Sequence, residues 1–161
     1  MRKGWVLVIA AVFLMSGTAL AQQFSWKMQS TWPATDFHQV NPKGAVEKIE
    51  AMSGGRLKIN LQGAGAIVPP FEVLDAVHKG ILDAGHGWPG YWYGKHPAAT
   101  LFSSVPGGPY GMNHEDFLGW YFLGGGHELY NELLQKELKL NVIVFATFGE
   151  TPEPWDGSPS P

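Results

Sequence analysis

An α/β fold, with a mainly parallel sheet and helices on both of its faces, is what this sequence predicts, and three observations predict it. Phe24, Trp26 and Met28 alternate with Ser25, Lys27 and Gln29, a period of two that reads as a strand. Leu57, Ile59 and Leu61 repeat that alternation, and a segment with helical spacing stands between the two runs. A second helical segment then leads into the short, Gly-rich run Ala84 to Gly87, so strand, helix and strand recur in the manner of βαβ units.

The chain opens with Arg2 and Lys3, an apolar run from Trp5 to Met15 and the small-x-small pattern Ala19-Leu20-Ala21. This is the build of a secretory signal over residues 1–21, cleaved after Ala21, and it predicts a periplasmic protein. The apolar run is shorter than the roughly 20 residues that span a bilayer, so no membrane embedding is expected after cleavage. Thr31, Trp32 and Pro33 end the first strand. From Phe37 to Met52, Val40, Val46, Ile49 and Met52 form the expected apolar stripe of a helix, with Lys43 and Glu47 four apart on its wet face. Ser53-Gly54-Gly55 stops it.

After the second strand and the loop Gly63 to Pro70, Phe71, Leu74, Val77 and Ile81 mark a short helix, with Pro70 near its first turn and Gly80 near its end. Ala84 to Gly87 is then the third strand, rich in glycine because something approaches it closely. Leu101 to Met112 is a turn-rich connector. Asn113 caps a helix running through Leu123, with Glu115 and Asp116 in its first turn. Gly124 to Gly126 breaks it, and a second helix runs from His127 to about Leu138 with Leu129, Leu133 and Leu134 as its buried stripe. Asn141 to Phe148, apolar and β-branched, is expected as a strand.

Composition narrows the function. At 161 residues, 45% hydrophobic and with a net charge of −3, the chain is a foldable single domain, and its 11 scattered Lys and Arg residues form no basic stripe for nucleic acid. The absence of cysteine excludes disulfides, thiolate metal sites and a lipidated N-terminal cysteine. Neither a nucleophile elbow nor a P-loop nor a dinucleotide fingerprint occurs. His127-Glu128 lacks the second histidine of a zincin helix, and His86 and His96, ten positions apart, fix no metal geometry. Gly124 to Gly126 reads as an interhelix turn before it reads as an anion nest, and Lys95 as a solvated lysine before it reads as a carboxylate partner.

What remains is aromatic. Trp88, Tyr91, Trp92 and Tyr93 fall on a Gly- and Pro-rich loop just after the third strand. One such ring is ordinarily core, but four on one loop point to the wall of a binding cleft. Ligands of open α/β sheets sit beyond the carboxyl ends of the strands, which brings Thr31 and Trp32, at the end of the first strand, to the same edge. The candidate ligand-binding residues are therefore Thr31, Trp32, Trp88, Tyr91, Trp92 and Tyr93; no catalytic and no metal-ligating residue is assigned.

The run Gly85 to Pro97, together with Trp26 to Pro33, Ser53 to Ile59 and Gly124 to Glu132, resembles the solute-binding subunits of TRAP transporters, the DctP-type family, and within it the branch for 2-oxo and 2-hydroxy monocarboxylates. The resemblance covers about Phe24 to Glu153. It implies a periplasmic-binding-protein-like fold, here an incomplete first lobe over residues 22–140 and the start of a crossover toward a second lobe over 141–154. It also implies capture of a small organic acid for the small and large membrane subunits of the transporter. The family's carboxylate-clamping arginine and the ligands of a cation bound beside the substrate belong to the second lobe, so no cofactor is expected in this stretch and binding by it alone is not expected.

Residues 155–161 depart from the family's Leu-Gly-Trp-Phe continuation, and the loss of one base from one choice of codons for that continuation reproduces Trp-Asp-Gly-Ser-Pro-Ser-Pro. An aberrant or truncated tail is therefore expected, from a frameshifted or interrupted gene or, as the plainer alternative, an arbitrary truncation or a natural low-complexity tail. Two other classes compete. A secreted carbohydrate-binding module would also use many Trp and Tyr residues, but such modules are commonly β-sandwiches. A secreted enzyme lacks its motif.

Overall fold

The structure, a computed structural model, describes residues 24–103 and 112–145. The expected signal peptide, residues 146–161 and most of the Leu101 to Met112 connector lie outside the described residues. Three parallel strands form the sheet in the order β2-β1-β3, with β1 Phe24–Ser30, β2 Leu57–Gln62 and β3 Ala84–His86. The period-two reading of the sequence is met in the register, where Trp26 lies opposite Ile59 and Met28 lies between Leu61 and Ala84. All three strands run the same way, so their carboxyl ends deliver Thr31, Gly63 and Gly87 to one edge.

The helices return the chain between these strands. A 3-10 turn, Phe37–Gln39, is capped by the Asp36 side chain, which accepts from the His38 amide, and leads into α1, Val40–Met52. Gly54 and Gly55, at φ 61° and 75°, then end the helix in the left-handed conformation that favours glycine, as the sequence predicts. Helix α2, Val73–His78, carries the chain from β2 to β3. The chain crosses from central β1 to β2 on one edge and then back past β1 to β3 on the other; with the right-handed sense general to such connections, these opposite directions place α1 and α2 on opposite faces of the sheet. At Gly85 a Cβ would sit 2.7 Å from Val73 Cγ1, so the glycine in β3 is there because α2 packs directly on its backbone.

The stripe expected to bury α1 is corrected. Val40, Ile49 and Met52 are 69%, 40% and 86% exposed, and Pro42 is the buried residue of the helix. The helix meets edge strand β2 through polar clasps: Glu50 Oε1 accepts from the Ile59 amide at 2.9 Å and Ser53 Oγ accepts from the Leu57 amide at 3.1 Å. A narrow sheet offers too little apolar face to cover the whole stripe, and the helix lies against the strand's edge groups.

Past β3, 3-10 turns at Pro89–Trp92 and Pro97–Phe102 lead to α3, His114–Leu123, where Asn113 Oδ1 accepts from the Asp116 amide at 2.8 Å as the expected cap. Gly125, at φ 89°, turns the chain into α4, Gly126–Glu132, which continues as a π-helical turn over Leu133–Glu137. The main core gathers here: Trp92, Phe102, Phe117, Tyr121, Tyr130 and Leu134 are all buried. Leu133 and Leu134 are buried as expected, but Leu129 is 51% exposed. The inward stripe is Tyr130, Leu133 and Leu134, spaced three and four apart, and Leu129 falls one step off it.

The expected strand from Asn141 is also corrected over its described part. Residues 141–145 alternate between buried and exposed, as a strand would, yet pair with no strand among the described residues. Side chains of the preceding helix take over the ladder's role: Asn131 Oδ1 accepts from the Val144 amide at 2.8 Å and Gln135 Nε2 donates to the Val142 carbonyl at 2.8 Å. Among the described residues no helix is long and apolar enough to cross a membrane.

Candidate functional site

At the carboxyl edge of the sheet the chain builds a continuous strip of rings. Trp32 leaves β1 and meets His38 stacked at 4.6 Å and 15°, His86 tilted at 4.8 Å, and Tyr91 at 6.0 Å. Tyr91 in turn presents edge-to-face contacts to Trp88 at 5.4 Å and to Phe71 at 5.1 Å. Phe37 extends the strip beyond His38, its ring centroid 3.9 Å away. Aromatic rings held edge to face and offset in this way are favourable pairs. Phe37 and Phe71, the two ends, are 76% and 62% exposed, so the strip is an apolar surface with open ends.

The backbone beneath these rings is tied down at almost every polar group. The Trp32 amide donates to Ser30 Oγ at 3.2 Å, and its carbonyl accepts from Gln39 Nε2 and from the Ala64 amide, both at 2.8 Å. The Thr31 amide donates to the His86 carbonyl. Gln29, fully buried, accepts from the Ile67 and Val68 amides and donates to the Val68 carbonyl, which fixes the loop after β2 against β1. These buried amides make the edge rigid, because leaving any one unpaired would cost about 1–3 kcal/mol.

The six residues named from the sequence divide among three environments. Trp32, Trp88 and Tyr91 are half-buried, and Tyr91 is in ring contact with both tryptophans. Thr31 and Trp92 are buried, and a Cβ at Gly87 would meet both, at 2.9 Å from Thr31 Cγ2 and 3.2 Å from the Trp92 ring. Trp92 is thus a core residue that buttresses the edge from behind. Tyr93 is 61% exposed. Thr31 Oγ1 and the indole nitrogens of Trp88 and Trp92 are buried polar atoms with no hydrogen-bond partner within the described residues.

Sequence reasoning missed Phe37, His38 and Phe71 as members of the strip. Their signal was weak: Phe71 fell on a helical stripe and Phe37 at a helix start, where each passes for core. Lys95 is engaged, its Nζ 2.6 Å from Asp75 Oδ2, and so ties the aromatic loop to α2. His96 Nδ1 accepts from the Ala98 amide as a helix cap, which leaves it a structural residue apart from His86.

Charge at the strip is low. Burial, with repulsion from His38 second, pushes His86 down to about 4, so its ring is neutral through the physiological range. Asp36 lies 2.6 Å from His38 Nδ1, and its hydrogen bonds from the His38 amide and ring hold its carboxyl below the ordinary value. Among the described residues no group of three or more His, Cys, Asp or Glu side chains converges to hold a metal. What the arrangement can do is exclude water from the apolar part of a small solute along one side, with the Asp36–His38 pair at one end of the strip.

Comparison with known proteins agrees with this geometry. The family model for bacterial extracellular solute-binding protein, family 7 (DctP), matches residues 30–151. A monocarboxylate 2-oxoacid-binding periplasmic protein of Nostoc is 35% identical over 101 residues, which cover 63% of this chain and 27% of that one. A TRAP periplasmic solute-binding protein of Pseudoalteromonas atlantica, solved with sodium and pyruvate, superposes with a TM-score of 0.65 at 26% identity, over 73% of this chain and 35% of its own. One from Colwellia psychrerythraea, solved with calcium and pyruvate, gives the same TM-score, identity and coverage. The chain therefore spans about a third of the length of those structures.

Proposed function

The chain belongs to the bacterial extracellular solute-binding proteins of family 7, and from that premise we propose that its aromatic edge is one wall of a cleft that captures a small 2-oxo or 2-hydroxy monocarboxylate. The observation that carries the reading is the ring strip Trp32, Tyr91, Trp88 and Phe71, assembled at the carboxyl ends of parallel strands. Open α/β sheets bind ligands at that edge. The likeness to a 2-oxoacid-binding protein and to pyruvate-bound receptors supports the choice of acid. Trp32, Trp88 and Tyr91 line the cleft in this proposal. Thr31 and Trp92 support it, and Tyr93 flanks it.

As a receptor the protein performs no catalysis: it acts in the periplasm after export and hands its solute to the TRAP membrane subunits. Residues 22–140 are its first lobe and 141–154 lead toward a second. A cation bound with the solute draws its ligands from elsewhere than the strip. The carbohydrate-module alternative fits the ring geometry poorly. Sugar rings stack on open aromatic faces, whereas Trp32 already meets three rings and Tyr91 already meets the flanking rings at 84°.

Calorimetric titration tests this. Joined to a second lobe of the family, the chain should give saturable heat with pyruvate or lactate, weakened at least tenfold in Trp32→Ala provided that the variant keeps its cooperative melt. No saturable response to either acid, or saturation by an oligosaccharide instead, would overturn the proposal.

A further inference from the structure

Ser30 ends β1 fully buried, and its one hydroxyl serves two elements of the ring strip. Ser30 Oγ accepts from the Trp32 amide at 3.2 Å and lies 2.9 Å from His86 Nδ1. A hydroxyl carries one hydrogen. The oxygen already accepts the Trp32 N–H, and a buried O–H without an acceptor costs about 1–3 kcal/mol. His86 Nδ1 is the acceptor within reach, so the hydroxyl hydrogen points to it. Nδ1 is then the unprotonated nitrogen, and the ring proton of neutral His86 sits on Nε2.

We propose that Ser30 is a positioning residue of the ring strip, fixing His86 as the neutral Nε2–H tautomer with its ring against Trp32 while pinning the Trp32 backbone. The consequence is a wall with one orientation of its imidazole and one placement of its indole before any solute arrives, which reduces the ordering cost of binding. The functional meaning rests on the reading of this edge as the solute wall, but the tautomer itself does not. Two further groups act on the same ring: His38, whose charge opposes protonation of His86, and Asp36, which holds His38.

The test needs no ligand, so its failure is separate from failure of the binding proposal. Long-range 1H–15N correlation spectra of the protein at neutral pH should show His86 with a pyridine-like Nδ1 and a pyrrole-like Nε2. In Ser30→Ala the pattern should move toward a tautomeric mixture, and the titration midpoint of His86 should rise by roughly half a pH unit to one unit, the size of one lost hydrogen bond. Ser30→Thr, which keeps the hydroxyl, should retain the parental pattern. His78 and His127, away from the strip, should be unchanged in all three proteins, which separates positioning from a general loss of structure. A protonated Nδ1 in the parent, or an unchanged His86 pattern in Ser30→Ala, would overturn the assignment.

Discussion

Phe117→Ala should remove about 3–5 kcal/mol of stability, a large part of the roughly 5–15 kcal/mol that holds a domain together. Phe117 is 1% exposed and stands among rings, 6.0 Å from Tyr121 and 5.8 Å from Trp120. Truncation would leave a cavity bounded by large, stacked side chains that cannot easily collapse into it. Phe71→Ala is the matching control. Phe71 makes an aromatic contact with Tyr91 but is 62% exposed, so its loss should cost no more than about 1 kcal/mol. The pair separates the rings that hold the fold from the rings that face outward to act. Urea unfolding of the two variants measures both values, and equal losses would mean that the strip is core and not wall.

Acid should weaken the protein well before its carboxylates titrate. His86 has its ordinary value, 6.5, in the unfolded chain and about 4 in the folded one. A folded-state value depressed in this way makes the unfolded state bind the proton first. The contribution is therefore complete above pH 6.5 and is lost as the pH falls toward 4, to a total of about 3 kcal/mol. Asp36, also held low, adds a loss of the same sign only as the pH falls below the ordinary carboxylate value of 3.8. At the other end, burial raises Tyr121 to about 12, with Glu128 adding to the effect, and raises Tyr130 further, so stability falls again as the pH rises above 10. Urea midpoints at pH 7 and pH 4.5 should differ clearly, and His86→Gln should flatten that difference. Equal midpoints in the parent protein would show that His86 is not held neutral by burial.

The parts of this fold that could be read from sequence are those with a local cause. Alternation in Phe24 to Met28 and Leu57 to Leu61, the Gly54-Gly55 stop and the Asn113 cap each follow from the residue and its immediate neighbours. Gly85 was legible too, because a glycine in a strand signals close approach, here by Val73. The failures have a non-local cause. Periodicity marks an apolar stripe on α1 but cannot say how wide a sheet it will meet, and Val40 and Met52 are left exposed. The inward face of α4 runs through Tyr130, Leu133 and Leu134, one step from the stripe that starts at Leu129, and the apolar residues alone do not choose between the two. At the ring strip, composition drew attention to Trp88, Tyr91 and Trp32. His38 and Phe37 joined them through the turn that follows Trp32, and Phe71 through its contact with Tyr91, 20 residues along the chain. Ser30, the residue that ties strand, indole and imidazole together, carries no sequence signature at all.

The central claim is that Trp32 and Trp88 face a solute while Trp92 supports them from the core, and indole N–H resonances distinguish these positions directly. Titration with pyruvate of the chain joined to a second lobe of the family, followed by 1H–15N spectra, should move the Trp32 and Trp88 signals along a saturating course and leave the Trp92 signal in place. Uniform movement of all three, or movement of Trp92 with Trp32 and Trp88 unmoved, would contradict the account.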